Sequence, residues 1–304
     1  MILWNQQYYP DVFLAGAAKS GTTYLFDLLA AHSQIQGCHP KEPFFFIDKG
    51  NPYRQTTRGI FRREYLDFYK PLHEGCLHLD GTSQTIYQQE LLSQFNDMPK
   101  KPKVLFILRE PASRILSSFQ YTSNNLAAVN RLSFSEYVDS LLEPNHRVII
   151  DSCKNEKAAF SLTHELRYSC YISYLSLWER AVGKENMMVI LFEEMNRNHE
   201  LTLKEICEFL GIKAERLKEG SEKVNQSISV RNKSIHYILN KAFSMAGYRV
   251  PFKSSIKSLY IKLQHAPTTE DLDFQDDISR LKKFFVPFNQ ELATKFDLNL
   301  SIWN

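Results

Sequence analysis

Short unbroken apolar runs alternate along this chain with longer stretches of mixed polarity. Residues 11–17, DVFLAGA, are the first such run and predict a buried strand, and TTYLFDLLAAH at 22–32 predicts the helix that follows it. CLHLDG at 76–81 predicts a short second strand. KVLFILRE at 103–110 is the clearest strand, because a continuous apolar run is what a strand covered on both faces shows. Pro111 then stands where a helix tolerates proline, and ASRILSSFQYT continues that helix. SYLSLWERAV at 173–182 predicts the end of a long helix before Gly183, and NMMVILFEEM at 186–195 another buried strand. LTLKEICEFLGI at 201–212 predicts a helix stopped by glycine, and LKKFFVPFNQELATKF at 281–296 a last helix. The alternation predicts an α/β fold: a single domain with a mostly parallel central sheet flanked by helices. Residues 49–75 and 122–165 are polar and read as irregular insertions over the strand ends, where α/β proteins build their sites. Residues 218–234 read as a polar loop.

Composition narrows this picture in a few places. With 43% hydrophobic and 23% charged residues, the 304-residue chain has the make-up of a globular protein rather than a disordered one. A formal charge of +3 is too small to expect a nucleic-acid partner, and it argues against a polyanionic polymer as substrate. No run approaches ~20 uninterrupted apolar residues, so no membrane span is expected. MILWNQQYYPD lacks the basic-then-apolar order of a secretory leader, and the reading is a cytoplasmic protein. Cys38, Cys76, Cys153, Cys170 and Cys207 are odd in number, spread widely and without a Cys-x-x-Cys, which favours reduced thiols. No His, Cys and carboxylate cluster has ligand spacing, so no metal is expected.

Candidate chemistry begins in the loop between the first strand and helix, AAKSGTT at 17–23. A helix N-terminus offers unpaired backbone N–H groups and a partial positive charge, which suits a phosphate. Gly21 allows close approach of a ligand, Thr22 and Thr23 add hydroxyls, and Lys19 adds a mobile cation. The alternative is a structural turn with a solvent-facing lysine. A triphosphate-binding loop carries Lys after its last glycine and a magnesium-binding Ser or Thr after that, whereas here Lys19 precedes Gly21. No Walker-B carboxylate stands at a strand end either. A metal-dependent kinase is therefore disfavoured.

A second anchor lies in LREPASRILSSFQY at 108–121. Arg109 ends the strongest strand, and Ser117 and Arg114 fall in the first turns of the helix begun by Pro111. An arginine fork beside a hydroxyl suits a second phosphate. The alternative is an arginine capping the sheet among solvated serines. Together, the two anchors suggest a nucleotide held at two phosphate positions.

On these residues the chain resembles the sulfotransferase family that uses 3′-phosphoadenosine 5′-phosphosulfate (PAPS), in its carbohydrate, heparan-sulfate-like form. KSGTT at 19–23 resembles the 5′-phosphosulfate loop, and Arg109, Pro111, Arg114 and Ser117 fall in register with the 3′-phosphate element. KEPFFF at 41–46 resembles the Glu-x-x-Phe-Phe segment carrying the catalytic base, and DGTSQTIY at 80–87 a Glu-x-Thr-Pro stretch. KVNQSISVRNKS at 223–234 resembles the late loop closing over the nucleotide. The resemblance spans about residues 12–235, in order. It implies a P-loop-like sulfotransferase fold over 1–304 and a bacterial-type enzyme, with PAPS bound by 11–32, 76–122 and 186–235. Acceptor-site insertions would then lie at 38–75 and 122–170, and the closing helix at 280–296.

The resemblance also implies roles. Lys19 contacts the bridging and leaving oxygens of PAPS, and Ser20, Gly21, Thr22 and Thr23 hold the 5′-phosphate. Arg109 and Ser117 bind the 3′-phosphate, with Arg231 and Lys233 closing over it. Glu42 is the general base, with the alternative of a surface carboxylate whose phenylalanine neighbours are core. The acceptor is a hydroxyl, less readily an amine, of a saccharide or small natural product. Aromatic residues such as Tyr53, Phe61, Tyr65 and Phe68 either line its pocket or pack the core. Gly81 stands where these enzymes often carry a lysine, Ser83 replaces a proline and Asp80 a glutamate, so a second active-site lysine is unassigned. His39, His146 and His164 lie in candidate acceptor loops and read as structural or solvated before they read as auxiliary bases. A small-molecule kinase and a catalytically silent nucleotide-binding module are the competing functions.

Overall fold

A computed structural model of the chain describes residues 1–54, 64–126, 128–143, 145–214 and 274–303. Seven strands occur among them: β1 Ile2–Trp4, β2 Gln7–Tyr9, β3 Val12–Gly16, β4 Ile35–Gly37, β5 Leu77–Asp80, β6 Lys103–Leu108 and β7 Met187–Leu191. β1 and β2 form an antiparallel hairpin, and the other five make one sheet in the order β4-β5-β3-β6-β7 with every pairing parallel. The mostly parallel sheet expected from the apolar runs is thus observed. The described residues divide into two compact units, one holding those within 1–110, 170–214 and 287–303 and the other those within 111–169 and 274–286.

In the first unit, alternate residues of each strand face opposite sides of the sheet. Val12, Leu14, Leu105, Ile107 and Ile190 pack with Leu25, Leu28 and Leu29 of helix α1 (Thr22–Ala30) and with Leu203 and Ile206 further along the chain. On the other side, Phe13 and Phe106 meet Trp178, and Phe95 of α2 (Gln89–Phe95) completes an aromatic cluster. Trp178 is wholly buried, and its indole N–H donates to the Ile86 carbonyl at 2.9 Å. Both faces being covered is the physical reason that β3 and β6 read as unbroken apolar runs. Because the strands are parallel, the loops leaving β3, β5, β6 and β7 all emerge at one edge of the sheet. That edge carries the candidate site.

The second unit opens with α3 (Pro111–Gln120), followed by α4 (Phe134–Leu142), α5 (Arg147–Ser152), α6 (Glu156–Thr163) and α7 (Glu165–Ser169). The reading of 122–165 as irregular is corrected here, since most of that segment is helical. Ser133 and Glu136 form a reciprocal capping box that starts α4, and Asn155 caps α6. Among the buried apolar residues of this unit, such as Ile115, Val138, Ile149 and Leu162, lies a buried polar cluster: Arg114, 1% exposed, pairs with Glu165, and its Nη2 donates to Ser169 Oγ at 2.6 Å. Ser118 Oγ donates to the other Glu165 oxygen at 2.6 Å. Arg114 is thereby committed to internal structure. Removing one partner leaves a buried charge uncompensated, so Arg114→Ala is expected to cost about 3–5 kcal/mol of stability, read by chemical denaturation.

Back in the first unit, α8 (Tyr171–Val182), α9 (Phe192–Arg197) and α10 (His199–Leu210) follow in order. The helix expected to end before Gly183 does so, running Tyr171–Val182, whereas the strand read over 186–195 stops at Leu191, its last residues entering α9. The closing helix α11 runs Gln275–Phe296 with Pro287 inside it.

Candidate active site

The loop after β3 delivers the first group of residues. Gly21 is the N-cap of α1 at φ +90° and, having no side chain, bonds none of the open N–H groups of the first turn, where no acidic residue stands. The end of α1 therefore keeps its partial positive charge and its donors for something else. Ser20 is fully buried, and its Oγ has no hydrogen-bond partner among the described residues. An unpaired buried hydroxyl costs stability unless a ligand satisfies it. Lys19 is half-buried and holds φ +66°, a left-handed backbone that lysine adopts at some cost. Thr22 is buried and Thr23 exposed. The loop's donor set thus fits a phosphate-like anion.

Phe192, from the turn after β7, fixes this loop from below. A Cβ on Gly21 would lie 2.8 Å from its ring, and the Arg109 guanidinium rests over the same ring, 5.3 Å from the centroid. One aromatic side chain therefore supports both the anion loop and the arginine that follows β6. Arg109 is fixed through its backbone as well, since Tyr171 donates to its carbonyl at 2.8 Å. Glu193 clamps the next residue, accepting from the Glu110 N–H at 3.0 Å and from the Trp303 indole at 2.8 Å. Gly21→Ala would combine a disfavoured backbone with displacement of Phe192. The expected result is a loss of about 1–2 kcal/mol, read by thermal denaturation.

Glu42 lies in the segment after β4, and its neighbours hold it in place. Cys38 N–H donates to the Leu79 carbonyl at 2.9 Å and Gly81 N–H to the Lys41 carbonyl at 3.2 Å, so this segment runs beside the end of β5. Phe45 and Phe46 turn into the core, where Phe46 stacks on Tyr9 and both meet Tyr65. The phenylalanines anchor the segment instead of sealing the carboxylate, whose side chain is 30% exposed. Oε1 of Glu42 accepts from Ser83 N–H at 3.0 Å, from Ser83 Oγ at 2.5 Å and from Lys41 Nζ at 3.3 Å. Oε2 has no partner among the described residues. The carboxylate is thus oriented through one oxygen and presents the other.

The remaining expected residues sort plainly. Ser117 is buried in α3 of the second unit. Arg231, Lys233 and Phe61 lie outside the described residues. Tyr65 and Phe68 are core, and Tyr53 stacks on Phe44. Asp80 is fully buried and accepts from Thr82 N–H at 2.8 Å and Tyr65 OH at 3.0 Å; burial raises its carboxyl above the usual range, with the Thr82 and Tyr65 bonds opposing. It shapes the β5 loop. His39 is exposed, His146 begins α5, and His164 stacks on Phe160 with partial burial pushing it below the usual histidine range. Lys41, Ser83, Phe192 and Glu193 are the site residues that sequence reasoning missed. Spacing does not reveal their roles, because the partners Gly81, Glu42, Gly21 and Glu110 lie far from them along the chain.

Uncapped helix donors, a buried unsatisfied hydroxyl and a directed carboxylate, gathered at the carboxyl edge of a parallel sheet, define a P-loop-like anion-binding α/β protein. Comparison with known proteins narrows the class. The family described as "Sulfotransferase domain" matches residues 9–258, and this chain belongs to it. Rat carbohydrate sulfotransferase 15 is 22% identical over 248 residues, covering 67% of this chain and 44% of that protein. Rat sulfotransferase 2A1 is 22% identical over 289 residues, covering 93% and 84%. Mouse heparan sulfate glucosamine 3-O-sulfotransferase 3A1 is 21% identical, covering 67% and 46%. The chain thus spans less than half the length of these two carbohydrate-type relatives. Among solved structures, a sulfotransferase from Alicyclobacillus acidocaldarius matches with TM-score 0.65 at 19% identity, covering 97% of this chain and 99% of that one. That match shows a shared sulfotransferase fold.

Proposed function

We propose that the protein is a PAPS-dependent sulfotransferase acting on a hydroxyl of a saccharide or small-molecule acceptor, with Glu42 as general base. One observation carries the reading: Glu42 is oriented through Oε1 while Oε2 stays open, and Lys41 links it to Thr22 of the anion loop. Family membership over residues 9–258 supports the transfer chemistry, and the carbohydrate-type relatives support a saccharide acceptor.

When bound, the nucleotide supplies an activated sulfuryl group whose bond to the leaving phosphate oxygen breaks as the acceptor oxygen bonds to sulfur. Lys19 and the α1 N-terminus stabilise charge building on that leaving oxygen, and a fixed cation stabilises the transition state more than the ground state. Glu42 Oε2 takes the acceptor's proton. Ser20 Oγ gains the partner it lacks. Arg109, held over Phe192, serves a phosphate of the nucleotide, with Ser117, Arg231 and Lys233 assigned to the same task by resemblance. Positioning and electrostatics account for most of the rate, as in phosphoryl transfer.

The test is an acceptor screen with isotopically labelled PAPS, read by product mass. Labelled sulfuryl on a hydroxyl acceptor supports the proposal. Transfer of phosphoryl from ATP with magnesium, and none from PAPS, overturns it.

A further inference from the structure

The lysine beside Glu42 is placed for more than a surface charge. Its backbone is pinned twice, since its carbonyl accepts from Gly81 N–H at 3.2 Å and from Cys38 Sγ at 3.0 Å. Its Nζ lies over the Phe26 ring, 5.8 Å from the centroid. The ammonium then donates to the Gly81 carbonyl at 2.9 Å, and reaches Glu42 Oε1 at 3.3 Å and Thr22 Oγ1 at 3.5 Å. Only the first of these is a short hydrogen bond. The other two are long, so the ammonium is anchored on one backbone oxygen and keeps donor capacity toward the base and the anion loop. Its side chain is 18% exposed, neither sealed in the core nor free in water.

Gly81 makes this placement possible. A Cβ at that position would lie 2.5 Å from Phe26 and 3.0 Å from Lys41 Cγ. Any larger residue there must displace either the ring or the lysine stem. Four residues, two from helix α1 and two from the segments after β4 and β5, therefore converge on one cation: Gly81 leaves the space, the Phe26 ring lies under the ammonium, and Thr22 and Glu42 are both within its reach.

We infer that Lys41 is a second catalytic cation, contacting a non-bridging oxygen of the sulfuryl group while it passes from the loop side to the Glu42 side. The inference rests on the sulfotransferase reading above. Lys41 takes no proton and forms no covalent bond; the acceptor proton still goes to Glu42, and the leaving electron pair stays on the phosphate oxygen. What Lys41 adds is a fixed charge between donor and acceptor, where partial negative charge sits on the group in transit. Adenosine 3′,5′-bisphosphate, the product nucleotide, lacks that group and so lacks the contact.

This difference supplies the test. Lys41→Met keeps an unbranched apolar side chain beside Gly81 and deletes the charge. Full-length wild type and Lys41→Met are compared for turnover, thermal midpoint, and affinity for PAPS and for adenosine 3′,5′-bisphosphate without acceptor. The expected result is a turnover loss on the order of 10²-fold, weaker PAPS binding, and unchanged bisphosphate affinity and thermal midpoint. Gly81→Ala, by crowding the stem, is expected to reproduce the same split between the two nucleotides, and Lys41→Arg to recover part of the turnover. Equal losses for both nucleotides with a lowered midpoint would show a merely structural lysine, and unchanged turnover would overturn the inference outright. If wild type binds neither nucleotide, the parent reading fails and this one with it. If wild type binds both and Lys41→Met behaves like it, only the Lys41 assignment fails.

Discussion

Lys19→Ala is expected to lower turnover by on the order of 10²–10³-fold, the size of effect seen when one preorganised donor to a developing oxyanion is removed. The expectation follows from where the charge sits. Lys19 is held at φ +66° between β3 and the uncapped N-terminus of α1, two residues before Gly21. A left-handed lysine in a tight loop is a cost, and it is retained where the resulting position matters. Leaving-group charge is larger in the transition state than in the bound nucleotide, so the loss falls more on turnover than on nucleotide affinity. Steady-state kinetics with PAPS, beside direct binding of adenosine 3′,5′-bisphosphate, separate the two. Equal losses in both would place Lys19 in ground-state binding alone.

Glu42→Gln is the second large effect, with an expected fall in turnover of about 10²–10⁴-fold and nucleotide affinity unchanged. Glutamine keeps a carbonyl oxygen to accept from Ser83 N–H and Oγ, so the segment stays in place while the proton acceptor is lost. Ser83 supplies the complementary check. It holds Glu42 through both N–H and hydroxyl, whereas a proline there would offer neither. Ser83→Ala keeps the N–H and removes the hydroxyl, and is expected to lower turnover by less than Glu42→Gln does. Turnover of Glu42→Gln near that of wild type would remove Glu42 from the base role.

Much of the fold was legible because burial on both faces of a sheet leaves an unbroken apolar mark. β3, β6 and the helix α1 were readable for that reason, and Pro111 marked the start of α3. Weakly marked elements escaped. The β1–β2 hairpin turns at Asn5 and Gln6, both at positive φ, without the glycine that usually advertises such a turn. β4 is three residues long. The helices after residue 130 are polar on much of their surface, although the Ser133-x-x-Glu136 capping pair was present in the sequence to be read. Phe192 looked like the continuation of a strand because an apolar run does not say where it bends.

The site divides along the same line. The anion loop is contiguous, so its donors were visible as a string of residues. Partners brought in from elsewhere were not: Ser83 on Glu42, Phe192 beneath Gly21 and Arg109, and Lys41 in the space left by Gly81. Gly81 and Ser83 looked like departures from a pattern. In the folded chain each has a definite task, one leaving room for a cation and the other orienting a carboxylate.

On the function proposed above, the loop of Lys19, Ser20 and Gly21 holds a bisphosphorylated adenosine nucleotide and needs no triphosphate. Thermal unfolding of the full chain with adenosine 3′,5′-bisphosphate, against ATP with magnesium, tests it most directly. Ligand at one hundred times its dissociation constant adds about 2.7 kcal/mol to the folded state. A clear rise in midpoint with the bisphosphate and little with ATP–magnesium is the predicted result. A rise with ATP–magnesium alone would contradict it.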